Sequence, residues 1–117
     1  PHTPVTEFTF NSETFGLMKN TAYFINIGRG MVCKIDDLAD AIESGNIAGC
    51  GLDVYEIEPL PSDHKLWGLD NVLMTPHVAI VDAENIPERR FEILLDNAKS
   101  FLSGDSLINV VDKETWY

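Results

Sequence analysis

Basic residues are scarce in this sequence of 117 residues. Eight lysines and arginines stand against 19 aspartates and glutamates, which gives a formal net charge of −11. A surface this acidic repels phosphate backbones and anionic lipid headgroups, which argues against nucleic acid and membranes as partners. A small anionic substrate stays compatible with this charge, because the local field of a site can oppose the field of the whole protein.

Long apolar runs and cysteines are also scarce. No stretch approaches the roughly 20 consecutive apolar residues of a membrane span. Only two cysteines occur, Cys33 and Cys50, and the sequence has no Asn-x-Ser/Thr glycosylation acceptor. We interpret the two cysteines as ordinary reduced thiols of a reducing compartment. We therefore expect a cytoplasmic protein.

Two Gly-x-Gly patterns lack the rest of a dinucleotide fingerprint. Gly28-Arg29-Gly30 and Gly49-Cys50-Gly51 are not followed by the third glycine, and the second pattern falls inside a predicted strand. Neither predicts a phosphate-binding loop. The three histidines, His2, His64 and His77, are not at the close spacing of metal ligands, so we predict no metal site.

Helical and strand patterns alternate along the chain, which predicts an α/β fold. A short helix capped by Asn11 or Ser12 is expected to run to about Lys19, and longer helices are expected over residues 35–44 and from Pro87 to about Ser103. Strands are predicted over residues 22–26, 47–54 and 71–74. Residues 55–68 form a predicted irregular loop, and residues 108–111 are either one more strand or a docking segment.

The predicted strands are short and continuously apolar, which is typical of a parallel sheet covered on both faces. Gly45 is placed as the residue that follows the second helix. Gly49 and Gly51 inside the second strand indicate a close approach of another backbone.

Charged residues follow all three predicted strands. Arg29 comes just after the first, Asp53 ends the second with Glu58 five residues further on, and His77 comes just after the third. Parallel strands have their carboxyl ends at one edge of the sheet, and open α/β sheets bind ligands there. We expect these residues to converge at that edge.

A histidine beside a carboxylate is a common acid–base pair, and an arginine grips a carboxylate with two parallel hydrogen bonds. Such a set suits proton transfer on a small carboxylated substrate. Each residue also has an ordinary interpretation: Arg29 as a surface ion-pair partner, His77 as a loop residue, and Glu56 with Glu58 as a solvated pair. No serine or cysteine carries the local signature of a nucleophile.

Three segments together resemble the D-isomer-specific 2-hydroxyacid dehydrogenases. Residues 26–32 are similar to the N-x-x-R-G-x-x-V segment of that family, and residues 51–60 to its L-D-V-x-x-x-E-P-L segment. Leu66-Trp67, followed by residues 71–77, resembles its L-W…N-V-x-x-T-P-H segment. The loop at residues 2–6 is similar as well. The resemblance covers nearly the whole chain and is clearest over residues 2–79.

The resemblance implies the C-terminal half of a Rossmann-type, doubly wound parallel sheet with a long C-terminal helix. Residues 1–85 would belong to the NAD-binding domain, and residues 86–117 would return to a substrate domain. The family's Gly-x-Gly-x-x-Gly loop is missing from this sequence. We therefore expect the chain to be a fragment of a longer oxidoreductase that uses NAD, with NADP as the open alternative. The exposed edge of an incomplete parallel sheet favours pairing with another chain, so we also expect a homodimer.

The same resemblance gives the site residues their expected roles. Arg29 would bind the carboxylate and carbonyl of a 2-oxo acid, and His77 would give a proton to the carbonyl oxygen and take it back in the oxidative direction. Glu58 would hydrogen-bond His77, since it stands directly before Pro59, and Glu56 is the rival carboxylate. Asp53 would hold the nicotinamide end of the cofactor. The other residues expected to line the cofactor cleft, together with Arg29 and His77, are Thr3, Pro4, Ile27, Gly28 and Ala79.

Two features bear on the substrate and on catalysis. The formate dehydrogenase branch carries Gln where this chain has Glu58, so Glu58 favours a 2-hydroxy acid over formate. Many members carry a glycine soon after the histidine, whereas residues 78–82 of this chain contain none, which leaves the substrate subgroup open. The alternative function is a non-catalytic, NAD-binding or regulatory relative of the same scaffold, although such a role needs no acid–base pair.

Overall fold

The computed structural model describes residues 1–79 and 85–117, which fall into two compact units, Pro1–Ala79 and Ile80–Tyr117. The first unit contains helix α1 (Ser12–Gly16), strand β1 (Tyr23–Asn26), helix α2 (Ile35–Glu43), strand β2 (Gly49–Leu52) and strand β3 (Val72–Met74), with 3₁₀ turns at Gly30–Val32 and Lys65–Gly68. Helix α3 (Ile86–Ser103) dominates the second unit. Residues 80–82 of the glycine-free segment after His77 lie outside the described residues. The division at residue 85 stays a prediction.

The three strands form one parallel sheet in the order β1-β2-β3. Asn26 pairs with Leu52, and Leu52 pairs with Met74, so the last residues of all three strands lie in one row. The predicted α/β class with a parallel sheet is confirmed. The segments that carry Arg29, Asp53 and His77 therefore leave the sheet at the same edge.

One face of the sheet packs into the core. Phe24 of β1 meets Phe15 of α1 edge to face, with ring centroids 5.3 Å apart, and Leu38 of α2 is fully buried in the same cluster. Burying a side chain of this size contributes about 1.5–3 kcal/mol. On the opposite face Ile25 and Leu73 are each 70% exposed. The expectation that both faces are covered is wrong for the described residues.

The helix boundaries follow from local hydrogen bonds. Asn11 caps α1, because its side chain accepts from the backbone N–H groups of Glu13 and Thr14 while the Thr14 hydroxyl accepts from the Asn11 N–H. Helix α1 ends at Gly16 rather than near Lys19, because the N–H of Leu17 turns back to Thr14 with the tighter spacing of a 3₁₀ turn.

Two further boundaries match the sequence pattern, and one loop departs from it. Helix α2 ends at Glu43, one residue before the predicted end at Ser44, and Gly45 follows the cap with a φ of 75°. Helix α3 begins at Ile86 with Pro87 in its first turn. The loop predicted to be irregular over residues 55–68 contains a 3₁₀ turn at Lys65–Gly68, capped by the His64 ring, which accepts from the Leu66 N–H.

The two glycines of β2 differ in what their positions require. A Cβ on Gly49 would lie 2.2 Å from the Asn71 carbonyl oxygen, so only glycine fits there. A Cβ on Gly51 would lie 3.8 Å from the Ile25 side chain, which is an ordinary contact. The predicted close approach is confirmed at Gly49 and is wrong at Gly51.

In the second unit, the Asn97 side chain of α3 holds the backbone of Ile108 with two hydrogen bonds of 2.8 and 3.1 Å. Residues 108–111 form no strand, so that alternative is wrong, while the alternative of a docking segment stays a prediction. Among residues 1–79 and 85–117, no helix combines the length and apolar character that crossing a membrane requires.

Candidate active site

The turn after β1 is shaped by a buried asparagine. The Asn26 side chain accepts from the Gly28 N–H at 3.0 Å and donates to the Arg29 carbonyl at 3.1 Å, so it folds the chain back immediately after the strand. The Arg29 side chain is exposed at this turn, where its guanidinium donates to the Gly28 carbonyl at 2.8 Å. The remaining donors of the guanidinium are available to an anion.

Gly30 joins this turn to the loop that leads to Glu58. A Cβ on Gly30 would lie 1.7 Å from the Tyr55 carbonyl oxygen and 2.7 Å from the Glu56 nitrogen. Only glycine allows the two backbones to approach this closely. The segments of Arg29 and Glu58 are therefore held against each other by backbone packing.

The acid–base pair expected from the sequence forms a direct contact. Nδ1 of His77 lies 2.7 Å from Oε2 of Glu58, and the Tyr55 N–H donates to the other carboxylate oxygen, Oε1, at 3.0 Å. The hydrogen bond with His77, followed by that from Tyr55, holds the pKa of Glu58 below its usual value. Because Glu58 occupies Nδ1, Nε2 is the imidazole nitrogen left for a substrate.

The rival carboxylate has a different partner. Oε2 of Glu56 accepts from the Ile35 N–H at 3.2 Å, at the first turn of α2. A carboxylate at this position satisfies a free N–H group and complements the helix dipole. The structure thus brings Glu58 to His77 and takes Glu56 to the helix.

Asp53 is enclosed by the segment that surrounds His77. Its Oδ1 accepts from the Thr75 hydroxyl at 2.5 Å and from the Val78 N–H at 2.8 Å, and its Oδ2 accepts from the Ala79 N–H at 2.9 Å. The residue is only 2% exposed. The bond from Thr75 is the largest cause of a lowered pKa at Asp53, and the two backbone bonds add to it. This carboxylate is therefore ionised at neutral pH.

His77 has an unusual backbone conformation. Its φ is 57°, in the left-handed region that a residue with a Cβ seldom adopts. Such a conformation costs on the order of 1–3 kcal/mol and persists only where the surroundings enforce it. Here Thr75 precedes His77 and Val78 and Ala79 follow it, and all three bind Asp53.

A cavity of about 510 Å³ lies beside the pair. Glu58 and His77 supply the carboxylate and the imidazole of its wall. The other lining residues are Tyr55, Pro59, Leu60, Trp67, Met74 and Pro76. An apolar wall lowers the local dielectric, which strengthens the hydrogen bonds and charge interactions of a bound molecule.

The residues expected to line a cofactor cleft fall into two groups. Pro4, Ile27 and Gly28 are exposed, and Ile27 presents an apolar side chain that is 68% exposed beside the Arg29 turn. Thr3 is fully buried, and its hydroxyl lies 3.0 Å from that of Thr6. Ala79 is exposed and its N–H binds Asp53. These roles stay predictions.

Two residues that build the site were not singled out from the sequence. Tyr55 holds Glu58 through its N–H and donates its hydroxyl to the Thr75 carbonyl at 2.9 Å, while Thr75 binds Asp53. Both stand inside the quoted motifs, within three residues of a predicted site residue. Their closeness to predicted site residues was the signal in the sequence that could have identified them. Among the residues that the structure describes, no cluster of three or more His, Cys, Asp or Glu side chains is arranged to hold a metal ion.

Comparison with known proteins places this arrangement in context. A family model described as D-isomer specific 2-hydroxyacid dehydrogenase, NAD binding domain, matches residues 1–79. A glyoxylate reductase of Thermofilum pendens is 40% identical over 116 residues, which are 97% of this chain and 34% of that protein. This chain spans about a third of the length of the curated relatives it matches.

Solved structures agree with the sequence match. A D-isomer specific 2-hydroxyacid dehydrogenase from Xanthobacter autotrophicus, in complex with NADPH and MES, has a TM-score of 0.86 and 39% identity over 96% of this chain and 45% of its own. An NADPH-dependent glyoxylate/hydroxypyruvate reductase from Sinorhizobium meliloti, in complex with NADP and sulfate, has a TM-score of 0.85 and 35% identity over 100% of this chain and 38% of its own.

Proposed function

Because this chain belongs to the D-isomer specific 2-hydroxyacid dehydrogenase family, we propose that it supplies the acid–base and substrate-binding part of a nicotinamide-dependent oxidoreductase. The reaction interconverts a 2-oxo acid and a D-2-hydroxy acid. The chain acts as part of a longer protein, in which residues 1–85 complete a cofactor domain and residues 86–117 return to a substrate domain.

The observation that carries this proposal is the contact between His77 and Glu58. With Nδ1 bound to the carboxylate, Nε2 of a protonated His77 can donate a proton to the carbonyl oxygen of a 2-oxo acid. Glu58 stabilises the protonated imidazole and orients its ring. In the oxidative direction the neutral imidazole takes the proton from the hydroxyl group.

Arg29 binds the substrate carboxylate in this proposal. Its guanidinium is exposed at the turn that Asn26 shapes, and Gly30 packs that turn against the loop leading to Glu58. A bidentate pair with a carboxylate fixes orientation as well as charge. The carboxylate and the carbonyl are neighbouring groups of a 2-oxo acid, so when Arg29 fixes the carboxylate it also orients the carbonyl towards His77.

Residues exposed at the carboxyl edge of the sheet support a nicotinamide site there. Exposed Ile27 and Gly28 follow β1 at the carboxyl edge of the sheet, where parallel sheets bind nucleotides, and Pro4 is exposed as well. A nicotinamide held there by Ile27, Gly28 and Pro4 would supply or accept the hydride. The two related structures solved with NADPH or NADP support NADP, and the family model, which describes an NAD binding domain, supports NAD. We propose NAD, with NADP as the alternative.

The relatives named as glyoxylate and hydroxypyruvate reductases support a small 2-oxo acid as substrate. Two free, buried cysteines support a reducing, cytoplasmic location. The exposed apolar side chains on one sheet face, Ile25 and Leu73, support burial against further protein, and a homodimer is our proposed assembly.

A hybrid enzyme tests the proposed function. The matching segment of the Thermofilum pendens glyoxylate reductase is replaced by this chain, so that the remaining two-thirds comes from the relative. We expect the hybrid to oxidise NADH or NADPH with glyoxylate or hydroxypyruvate. The substitution His77→Ala should lower kcat roughly 100-fold or more, because it removes the proton donor.

The control is Glu56→Gln, which alters a carboxylate that binds helix α2 rather than His77. Near-normal turnover by a hybrid carrying both His77→Ala and Arg29→Ala would contradict the proposal. Cofactor binding without turnover of any 2-oxo acid in a broad panel would instead support a non-catalytic relative of the same scaffold.

A further inference from the structure

Asp53 is buried by the segment that carries His77 and does not line the cavity beside the Glu58–His77 pair. Its residue surface is 2% exposed, and its two carboxylate oxygens accept three hydrogen bonds from residues on both sides of His77. An ionised carboxylate is an acceptor only, with room for about four donors over its two oxygens. Three of these positions are taken by Thr75, Val78 and Ala79.

These bonds coincide with the left-handed conformation of His77. The Thr75 hydroxyl reaches Asp53 from two residues before His77, and the N–H groups of Val78 and Ala79 reach it from one and two residues after. The chain from Thr75 to Ala79 is thus drawn around one carboxylate, with His77 at its apex at a φ of 57°. In this conformation Nδ1 of His77 meets Glu58.

We propose that Asp53 is a positioning residue for His77: its carboxylate gathers Thr75, Val78 and Ala79 and so holds the imidazole against Glu58. Thr75 is a second positioning residue, because its hydroxyl donates the shortest of the three hydrogen bonds to Asp53. The lowered pKa of Asp53, caused first by Thr75, agrees with a carboxylate that stays ionised in this role. Direct hydrogen bonding of Asp53 to nicotinamide, the role that the family resemblance implies, stays a prediction and would use the one acceptor position that these three donors leave.

The 117-residue chain itself provides the first test, by NMR of the His77 imidazole nitrogens and of the Val78 and Ala79 amides. Two variants weaken the hydrogen bonds at Asp53. Asp53→Asn replaces one acceptor oxygen by an NH₂ group, which faces donors and cannot accept from them. Thr75→Val removes the donating hydroxyl and keeps the shape of the side chain. The control is Asp70→Asn, which changes the net charge equally at an exposed residue.

Both test variants should shift the His77 imidazole signals towards those of a free histidine, and Asp53→Asn should also move the Val78 and Ala79 amide signals. The control should leave all of them in place. Unchanged His77 signals in both test variants would overturn the inference. If the core methyl signals show that Asp53→Asn does not fold, Thr75→Val decides, since Thr75 is exposed and its loss leaves the core intact.

The second test rests on the proposed function and uses the hybrid reductase. A positioning role predicts that Thr75→Val and Asp53→Asn lower kcat, by up to roughly 100-fold for a misplaced catalytic group, while KM for the reduced cofactor is kept. A raised cofactor KM with kcat unchanged would show that Asp53 acts through the nicotinamide alone, and that result would contradict the inference. An inactive unsubstituted hybrid would count against the proposed function alone, because the NMR result stands without turnover.

Discussion

Nδ1 of His77 and Oε2 of Glu58 lie 2.7 Å apart, although 18 residues separate them in the sequence and the two side chains follow different strands. Tyr55 secures both sides of the pair, because its N–H binds the Glu58 carboxylate and its hydroxyl binds the Thr75 carbonyl. The pair thus depends on hydrogen bonds from a third residue, and the bond from the Tyr55 hydroxyl can be removed by substitution while the bond from its backbone N–H stays.

Tyr55→Phe removes the hydroxyl that binds the Thr75 carbonyl. We expect the free energy of unfolding to fall by about 0.5–1.5 kcal/mol, the net worth of one such hydrogen bond. Chemical denaturation measures this, and Tyr23→Phe is the matched control because Tyr23 is 66% exposed. Equal stabilities of the two variants would show that the Tyr55 hydroxyl contributes nothing to the fold.

Gly30→Ala tests the backbone packing between the Arg29 turn and Tyr55. The added Cβ would lie 1.7 Å from the Tyr55 carbonyl oxygen, so one of the backbones must move. We expect a loss of about 1–3 kcal/mol or more in the free energy of unfolding. Gly28→Ala is the control, since its Cβ would lie 3.6 Å from the Asn26 side chain. A Gly30→Ala chain as stable as this control would refute the close approach.

Acid should destabilise the chain through Asp53 and Glu58. Hydrogen bonds from Thr75 to Asp53 and from His77 to Glu58 lower both pKa values in the folded state, below ordinary values of 3.8 and 4.5. Below about pH 4.5 the unfolded chain therefore binds more protons than the folded chain. The contribution of these two carboxylates to the free energy of unfolding is present above that pH and is lost as the pH falls through their folded-state pKa values.

Denaturation at a series of acidic pH values checks this expectation. The Glu58→Gln chain should lose less stability than the parent chain between neutral pH and the acid transition, because one of the two linked carboxylates is gone. The exposed Glu92→Gln on α3 controls for net charge. Identical pH dependence in the parent and Glu58→Gln chains would contradict the contribution of the pair.

The two thiols should be unreactive in the folded protein. Burial, with a smaller contribution from Cys50, raises the pKa of Cys33 to about 12, and burial raises the pKa of Cys50 to about 11. Thiolate is the reactive form, so almost none is present at neutral pH. We expect an aromatic disulfide reagent to label both only after denaturation, while an exposed Ser106→Cys variant reacts at once. Rapid labelling of Cys33 and Cys50 in the native chain would contradict their burial.

The sequence predicted those parts of the structure that depend on periodicity and strand direction. Helix α2, the three parallel strands and the shared edge of Arg29, Asp53 and His77 follow from apolar spacing and from the rule that parallel strands end together. The close approach of another backbone at Gly49 was also predicted correctly, because a glycine inside a buried strand indicates such an approach.

Other features depend on contacts between segments that are distant in the sequence. The bonds from Thr75, Val78 and Ala79 to Asp53, and from Tyr55 to Glu58, join loops whose conformation has no period. The early end of α1 depends on one tightened turn. The sequence could not predict that one face of the sheet is exposed, because Ile25 and Leu73 on that face are of the same residue types as the core residues.

The most direct test of the account compares two glutamates that stand two residues apart. In the hybrid reductase, kcat/KM for glyoxylate or hydroxypyruvate is measured for Glu58→Gln and for Glu56→Gln. We predict that Glu58→Gln lowers it roughly 100-fold, in the range of lost acid–base assistance, and that Glu56→Gln changes it little, because Glu56 binds the backbone of α2. Equal effects of the two substitutions would contradict the central claim that Glu58 and His77 act as one acid–base pair.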